Sequence, residues 1–196
     1  MTRPAPPRLI LGSASPRRLE LLAQIGLRPD EVRPADIDET PDRNESPRDY
    51  VGRMARQKAE ALPLADDEAL LTADTTVSVG RRILGKPADR TEAAHFMRLM
   101  SGRRHRVLTA VALRHAGRTR LRQVETLVRM RPIDAAALER YLDFGDWQGK
   151  AGGYAIQGAG AEFIPWIQGS FSAVIGLPLS ETAAMLAAIG IHGGRA

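Results

Sequence analysis

RVLTAVALRHAGRTRLRQVETLVRMR, Arg106 to Arg131, places two runs rich in β-branched residues on either side of Ala116-Gly117. The pattern predicts strands over Arg106 to Arg114 and Leu121 to Arg131, folded into a hairpin at the Ala-Gly pair. Working outward, Leu70 to Val79 reads as a strand that turns at Gly80 and returns through Ile83-Leu84. Leu9 to Gly12 reads as a short buried strand, and Phe163 to Ile175 as two more. Helices are predicted from Ser15-Pro16, with Leu19, Leu22 and Ile25 on one face and Gly26 as the stop, and from Ser46-Pro47 to about Leu62. Further helices are predicted over Thr91 to Met100, Pro132 to Phe144 and Pro178 to Ile189. Strands and helices alternate except at the hairpins, so the fold class is α/β with a mixed sheet, not a wholly parallel one. No internal repeat or low-complexity linker interrupts the 196 residues, and the expectation is one domain over 1–196.

The chain has no cysteine, which excludes disulfides and cysteine-ligated zinc or iron–sulfur sites and fits a reducing compartment. No apolar run approaches the roughly 18 residues of a membrane span, and Leu9-Ile10-Leu11 is too short for a signal-peptide core. A soluble cytoplasmic protein with no membrane partner is expected. The net charge of +5 brings nucleic-acid binding into consideration. Aromatic residues make up only 5% and do not interleave with the basic ones, so the stacking platform of a single-strand binder is missing and no stable nucleic-acid partner is expected. Of the 28 basic residues only Lys58, Lys86 and Lys150 are lysine. In a chain that otherwise uses arginine, these three are candidates for sites that need a compact three-donor charge, such as a phosphate.

Several motifs fail on inspection. GRRILGKP, Gly80 to Pro87, matches the nucleotide-binding P-loop for seven positions, but Pro87 stands where Ser or Thr must hold magnesium and a helix must begin. His95, His105, His115 and His192 show no metal-ligand spacing and are expected at surface or edge positions. The acidic run Asp36 to Glu45 has Pro41 where a calcium loop requires glycine. No G-x-S-x-G supports a nucleophilic serine.

Three stretches carry chemistry. Ser13-Ala14-Ser15-Pro16-Arg17-Arg18 puts two arginines in the first turn of a helix, where the free N–H groups and the dipole are already positive. An anion docked by Ser13, Ser15, Arg17 and Arg18 would reverse the cost; pairing of the arginines with the acids of residues 36 to 45 is the structural alternative. Asp74 sits in the apolar, β-branched run LLTADTTVSV, where a carboxylate needs a charged or metal partner. It could ligate Mg²⁺ or activate a water, or simply cap a turn. GKAGGYAIQGAG, Gly149 to Gly160, lets the backbone pass close to a ligand, and the Gln157 amide could read the imide edge of uracil or thymine if it does not lie at the surface.

Taken in order, LGSASPRR, ADTTV, LGKP, KAGGYAIQG and VIGLPL resemble the Maf family of nucleoside triphosphate pyrophosphatases over roughly residues 8 to 190. The resemblance implies an elongated mixed sheet flanked by helices, with two lobes around a cleft, related to inosine triphosphate pyrophosphatases. It implies hydrolysis of a nucleoside triphosphate to the monophosphate and pyrophosphate with a divalent metal, Mg²⁺ or Mn²⁺. By the same resemblance Asp74 is the proton acceptor, Ser13, Arg17 and Arg18 form the phosphate-binding turn, Lys58 and Lys86 neutralise the triphosphate, and Glu39 joins Asp74 at the metal. Base preference falls to Arg17, Thr75 and Gln157, which resemble the branch acting on dTTP and UTP; the branch acting on 7-methyl-GTP carries other residues there. Gln57 departs from the glutamate common in this branch. Dimers are common among similar proteins. Two alternatives stay open: the same reaction on 7-methyl-GTP or another modified nucleotide, and a non-catalytic regulatory protein binding DNA or a division partner, since the family is linked to inhibition of septum formation.

Overall fold

In the computed structural model, which describes residues 5–194, strands β1 (Arg8–Leu11), β2 (Glu31–Val32), β3 (Glu68–Val79), β4 (Arg82–Leu84), β5 (Arg104–His115), β6 (Arg118–Arg129) and β7 (Trp166–Gln168) form one sheet. Its order is β2-β1-β3-β5-β6-β7, with β4 pairing β3. β1 runs parallel to β2 and β3, and every other pair is antiparallel, so the sheet is mixed as expected. Helices α1 (Pro16–Gln24), α2 (Pro47–Ala61), α3 (Arg90–Met100), α4 (Ala135–Phe144), α5 (Phe171–Ile175) and α6 (Leu179–Ala187) flank it. Local signals set several starts: the side chains of Ser46, Asp89 and Asp134 each accept a backbone N–H from the first turn of α2, α3 and α4.

The long strands divide the core. On one face Ile10, Leu70, Leu108 and Ala110 pack under Val51 and Ala55 of α2. On the opposite face Leu9, Leu11, Leu71, Ala73 and Val111 pack against α1 and α6, while Val77, Val107 and Val128 pack against α3 and α4. Period-2 alternation puts residues 71, 73, 75 and 77 of β3 on that second face. Its two apolar clusters are separated where Thr75 stands opposite Thr109. This polar rung is why one sheet carries two lobes.

β3 pairs β5 along nearly its whole length, whereas its other edge meets β1 only up to Leu71 and β4 only from Val77. Residues 72 to 76 therefore face an opening in the sheet. The chain leaves β1 across this opening at Gly12, whose N–H donates to the Leu71 carbonyl at 2.8 Å. A Cβ on Gly12 would stand 2.6 Å from the Thr72 methyl, so only glycine permits that approach.

Two expectations are corrected. Phe163 to Ile175 contains one strand, β7, rather than two; the residues after it form α5, whose N-cap Ser170 accepts from Ala173 N at 3.2 Å. Phe163, Ile164, Val174 and Ile175 suit a strand by propensity, but a hydroxyl cap and packing on the sheet overrode it. His105, expected at the surface or an edge, is 2% exposed. It shares the inward face of β5 with Val107, and its Nε2 lies 2.7 Å from the Tyr154 hydroxyl.

Candidate active site

A cavity of about 430 Å³ opens at the break in the β3 edge, lined by Gly12 to Arg18, Glu39, Lys58, Asp74, Thr75, Lys86, Lys150 and Gln157, among others. All the residues singled out from the sequence thus come to one cleft although they span 145 positions of the chain (13 to 157). Five cationic side chains, Arg17, Arg18, Lys58, Lys86 and Lys150, line it against two carboxylates, Glu39 and Asp74. That surplus suits a polyanion.

At its centre Lys58, on the buried face of α2, reaches Asp74 Oδ1 at 2.6 Å and Glu39 Oε1 at 2.7 Å. Asp74 is 7% exposed. Burial pushes its carboxyl above the ordinary value, with the Lys58 ammonium opposing the rise. Burial would also raise Glu39, but its hydrogen bond to Lys58 and the charge of Lys86, 3.5 Å away, hold it below the usual carboxylate range. The strand-embedded aspartate therefore has the charged partner its position demanded and caps no turn.

Arg18 does not pair with the acids of residues 36 to 45. Its Nη1 donates to Ser13 Oγ at 2.7 Å and its Nε to the Gly176 carbonyl at 2.9 Å, tying the turn to the end of α5. Burial pulls the Arg18 guanidinium below its ordinary value, and Asp74 works against that pull. Ser15 occupies the N-cap of α1, but its side chain makes no capping bond. Arg17 makes no hydrogen bond or ion pair among the described residues and lines the cavity beside it.

Residues that sequence reasoning missed hold the walls. Tyr50 OH donates to the Glu39 carbonyl at 2.9 Å, and Arg53 bridges the Thr40 carbonyl and the Glu45 carboxylate, pinning the acidic loop to α2. Tyr50, Met54 and Lys58 share the buried face of α2, but nothing local in the sequence marks Tyr50 as an anchor for residue 39. Gln57 is exposed, accepts from Arg53 at 3.3 Å, and does not line the cavity. The glycine-rich segment folds into two 3₁₀ turns, Ala151–Gly153 and Ala159–Phe163. It is held by Gly152 N to the Gly85 carbonyl, Tyr141 OH to the Gly153 carbonyl, and Tyr154 to His105. Gly152 has φ +69° and lies against Val77, where a Cβ would crowd all three of its side-chain carbons. Gln157 stands exposed at the cavity rim.

His105 Nδ1 is buried without a partner. Tyr154→Phe would strip the ring of its remaining hydrogen bond, and a loss of about 1–3 kcal/mol is expected in urea unfolding. Burial holds His105 down to about 4 in the folded chain. The unfolded chain takes up that proton near pH 6.5, so this residue withdraws stability as pH falls from about 6.5 towards 4.

Among the described residues no group of three or more His, Cys, Asp or Glu side chains converges on a point. Glu39 and Asp74 converge on Lys58 Nζ as a pair. Two hard carboxylate donors beside a cation-lined cavity fit Mg²⁺ or Mn²⁺, which takes one or two carboxylates and completes its shell with water and phosphate oxygens.

A family model described as Maf-like protein matches residues 8–189. The chain belongs to the Maf family. It is 58% identical over 184 residues to the dTTP/UTP pyrophosphatase of Roseobacter denitrificans, covering 94% of this chain and 98% of that protein. It is 58% identical over 181 residues to the dTTP/UTP pyrophosphatase of a Ruegeria species, covering 92% and 94%. A solved nucleoside-triphosphatase / dITP/XTP pyrophosphatase from Mycobacterium abscessus overlaps at a TM-score of 0.40 and 16% identity, over 65% of this chain and 76% of that one, too loosely to carry an argument. Among the described residues of this Maf-family chain no helix is long and apolar enough to cross a membrane.

Proposed function

We propose that the chain hydrolyses dTTP and UTP to the nucleoside monophosphate and pyrophosphate. The observation that carries this reading is the buried Asp74–Lys58 pair at the floor of a cleft gathering four further cations. Relatives named dTTP/UTP pyrophosphatase at 58% identity support the choice of nucleotide.

In this reading Arg17, Arg18 and Lys86, with the Ser13 turn, bind the triphosphate and hold the α-phosphorus near Asp74. Asp74 accepts the proton of a water whose oxygen forms the new bond to the α-phosphorus, while the bond from that phosphorus to the bridging oxygen breaks and pyrophosphate departs. Lys58 holds the Asp74 carboxylate in place and opposes its protonation. Lys58 and the arginines face the charge developing on the departing phosphate. A divalent cation on Glu39 and Asp74 would supply charge neutralisation at the phosphate oxygens. Thr75 and Gln157 take the base.

Pyrophosphate release from dTTP, UTP, CTP, GTP, ATP and 7-methyl-GTP, with Mg²⁺ or Mn²⁺, tests the reading. The expected result is turnover highest on dTTP and UTP. Preference for 7-methyl-GTP would overturn the roles given to Arg17, Thr75 and Gln157, and no release from any nucleotide would overturn the reaction itself.

A further inference from the structure

The glycine-rich segment that walls one side of the cleft is held at both ends by a residue that does not line the cavity, Asp146. Its Oδ1 lies 3.1 Å from Lys150 Nζ, and its Oδ2 accepts the Ala159 N–H at 3.0 Å. Both side chains of the ion pair are mostly enclosed, at 18% exposure each. Gly158 packs so close to Asp146 Oδ2 that a Cβ there would collide with it. Asp146 is itself fixed to the end of α4. The Gly145 N–H before it donates to the Leu142 carbonyl at 3.2 Å, and the buried Trp147 after it donates Nε1–H to the same carbonyl at 3.1 Å. Between the two anchors run Lys150, Ala151, Tyr154, Ala155 and Gln157, all of which line the cavity. Five of the twelve residues from Gly149 to Gly160 are glycine, so the segment brings little conformational preference of its own and depends on what clamps it.

We infer that Asp146 is a positioning residue for substrate binding: its carboxylate holds the Lys150 ammonium at the cleft and clamps the far end of the wall that Lys150 begins. The inference rests on the nucleotide reading above and deepens it, because the charge Lys150 meets is that of the triphosphate. A lysine head sits on a flexible four-carbon stem, and without a partner it swings into water. Here Asp146 and the Gln148 carbonyl, 3.4 Å from Nζ, fix it from one side. These contacts occupy two of the three ammonium protons and leave the third for a phosphate oxygen in the cavity that Lys150 lines. Because Lys150 lines the cavity and Asp146 does not, the ammonium stands between the carboxylate and a bound anion.

The test measures kcat and KM for UTP in the wild type, Asp146→Asn, Lys150→Met and the double variant, together with calorimetric affinities for the non-hydrolysable α,β-methylene analogue of UTP. Asparagine can still accept the Ala159 N–H through its carbonyl oxygen, but it turns an NH₂ donor toward Lys150 and so releases the ammonium. KM is expected to rise by about tenfold in each single variant, as for the loss of one charged hydrogen bond, with a smaller fall in kcat. In Lys150→Met there is no ammonium left to hold, so adding Asp146→Asn should raise KM no further. Rises that multiply to about a hundredfold in the double variant would show that Asp146 does not act through Lys150 and overturn the inference. So would an Asp146→Asn protein with wild-type KM and only a lower urea midpoint, which is what a purely structural role gives. If Asp146→Asn does not fold, Gly158→Ala decides: its methyl displaces the carboxylate while both charges stay, and a KM left unchanged would overturn the inference. A wild type that binds the analogue but hydrolyses nothing would overturn the proposed reaction, while the analogue affinities across the same variants still uphold or overturn the role of Asp146.

Discussion

Asp74→Asn is expected to lower kcat/KM for dTTP and UTP by about 10²–10⁴-fold, the usual contribution of a positioned general base. Asparagine has nearly the same shape and can still accept the Lys58 hydrogen bond through its carbonyl oxygen, so the cleft stays intact. What is lost is a group able to take a proton. The wild-type profile carries a second signature. Burial raises the Asp74 carboxyl, so activity should climb with pH through a value above the ordinary aspartate value of about 3.9, and the residual activity of Asp74→Asn should lack that limb. Pre-steady-state pyrophosphate release across pH measures both. A variant retaining more than about a tenth of wild-type kcat would remove Asp74 from the proton transfer.

Lys58→Met is expected to have the next largest effect, on activity and stability together. The ammonium is shared by Asp74 and Glu39, and both it and Asp74 are nearly enclosed, with side chains 10% and 11% exposed. Removing one partner of a buried pair leaves an uncompensated charge, at a cost of about 3–5 kcal/mol. The carboxylate can escape part of that cost by taking up a proton. Its folded pKa, already raised, rises further without Lys58, so the folded chain holds the proton to higher pH than the unfolded chain does. The stability deficit of Lys58→Met should therefore be greatest above the folded Asp74 value and fade as pH falls towards the unfolded value near 3.9. The same shift should move the acid limb of the pH–rate profile upward, while loss of the charge proposed to face the departing phosphate should lower kcat/KM by about 10²-fold. Urea midpoints at several pH values and the rate profile report the two effects separately; a stability deficit that grows on acidification would contradict the pairing.

Much of the candidate site was legible in the chain. Arg17 and Arg18 in a helix's first turn, Asp74 in an apolar strand and three lysines in an arginine-rich composition were each out of place by ordinary propensity, and each lines the cleft or lies within it. Tyr50, Arg53, Tyr141 and Thr109 gave no such signal. A tyrosine on a helix or a threonine on a strand fits its element perfectly well, and its role appears only in the partner it meets 11, 13, 12 or 64 residues away.

By itself, then, the sequence determined the elements and most of their limits, because caps, turns and β-branched runs act through hydrogen bonds and backbone entropy within a few residues. It also determined the mixed character of the sheet, since a hairpin is antiparallel wherever it lies. Only the tertiary structure decided that the β3 edge would stay open between Leu71 and Val77, that His105 would be buried under Tyr154, and that 171 to 175 would be helix. These depend on which surfaces meet, and a strand edge or a core position has no value until the chain has brought its distant partner within bonding distance.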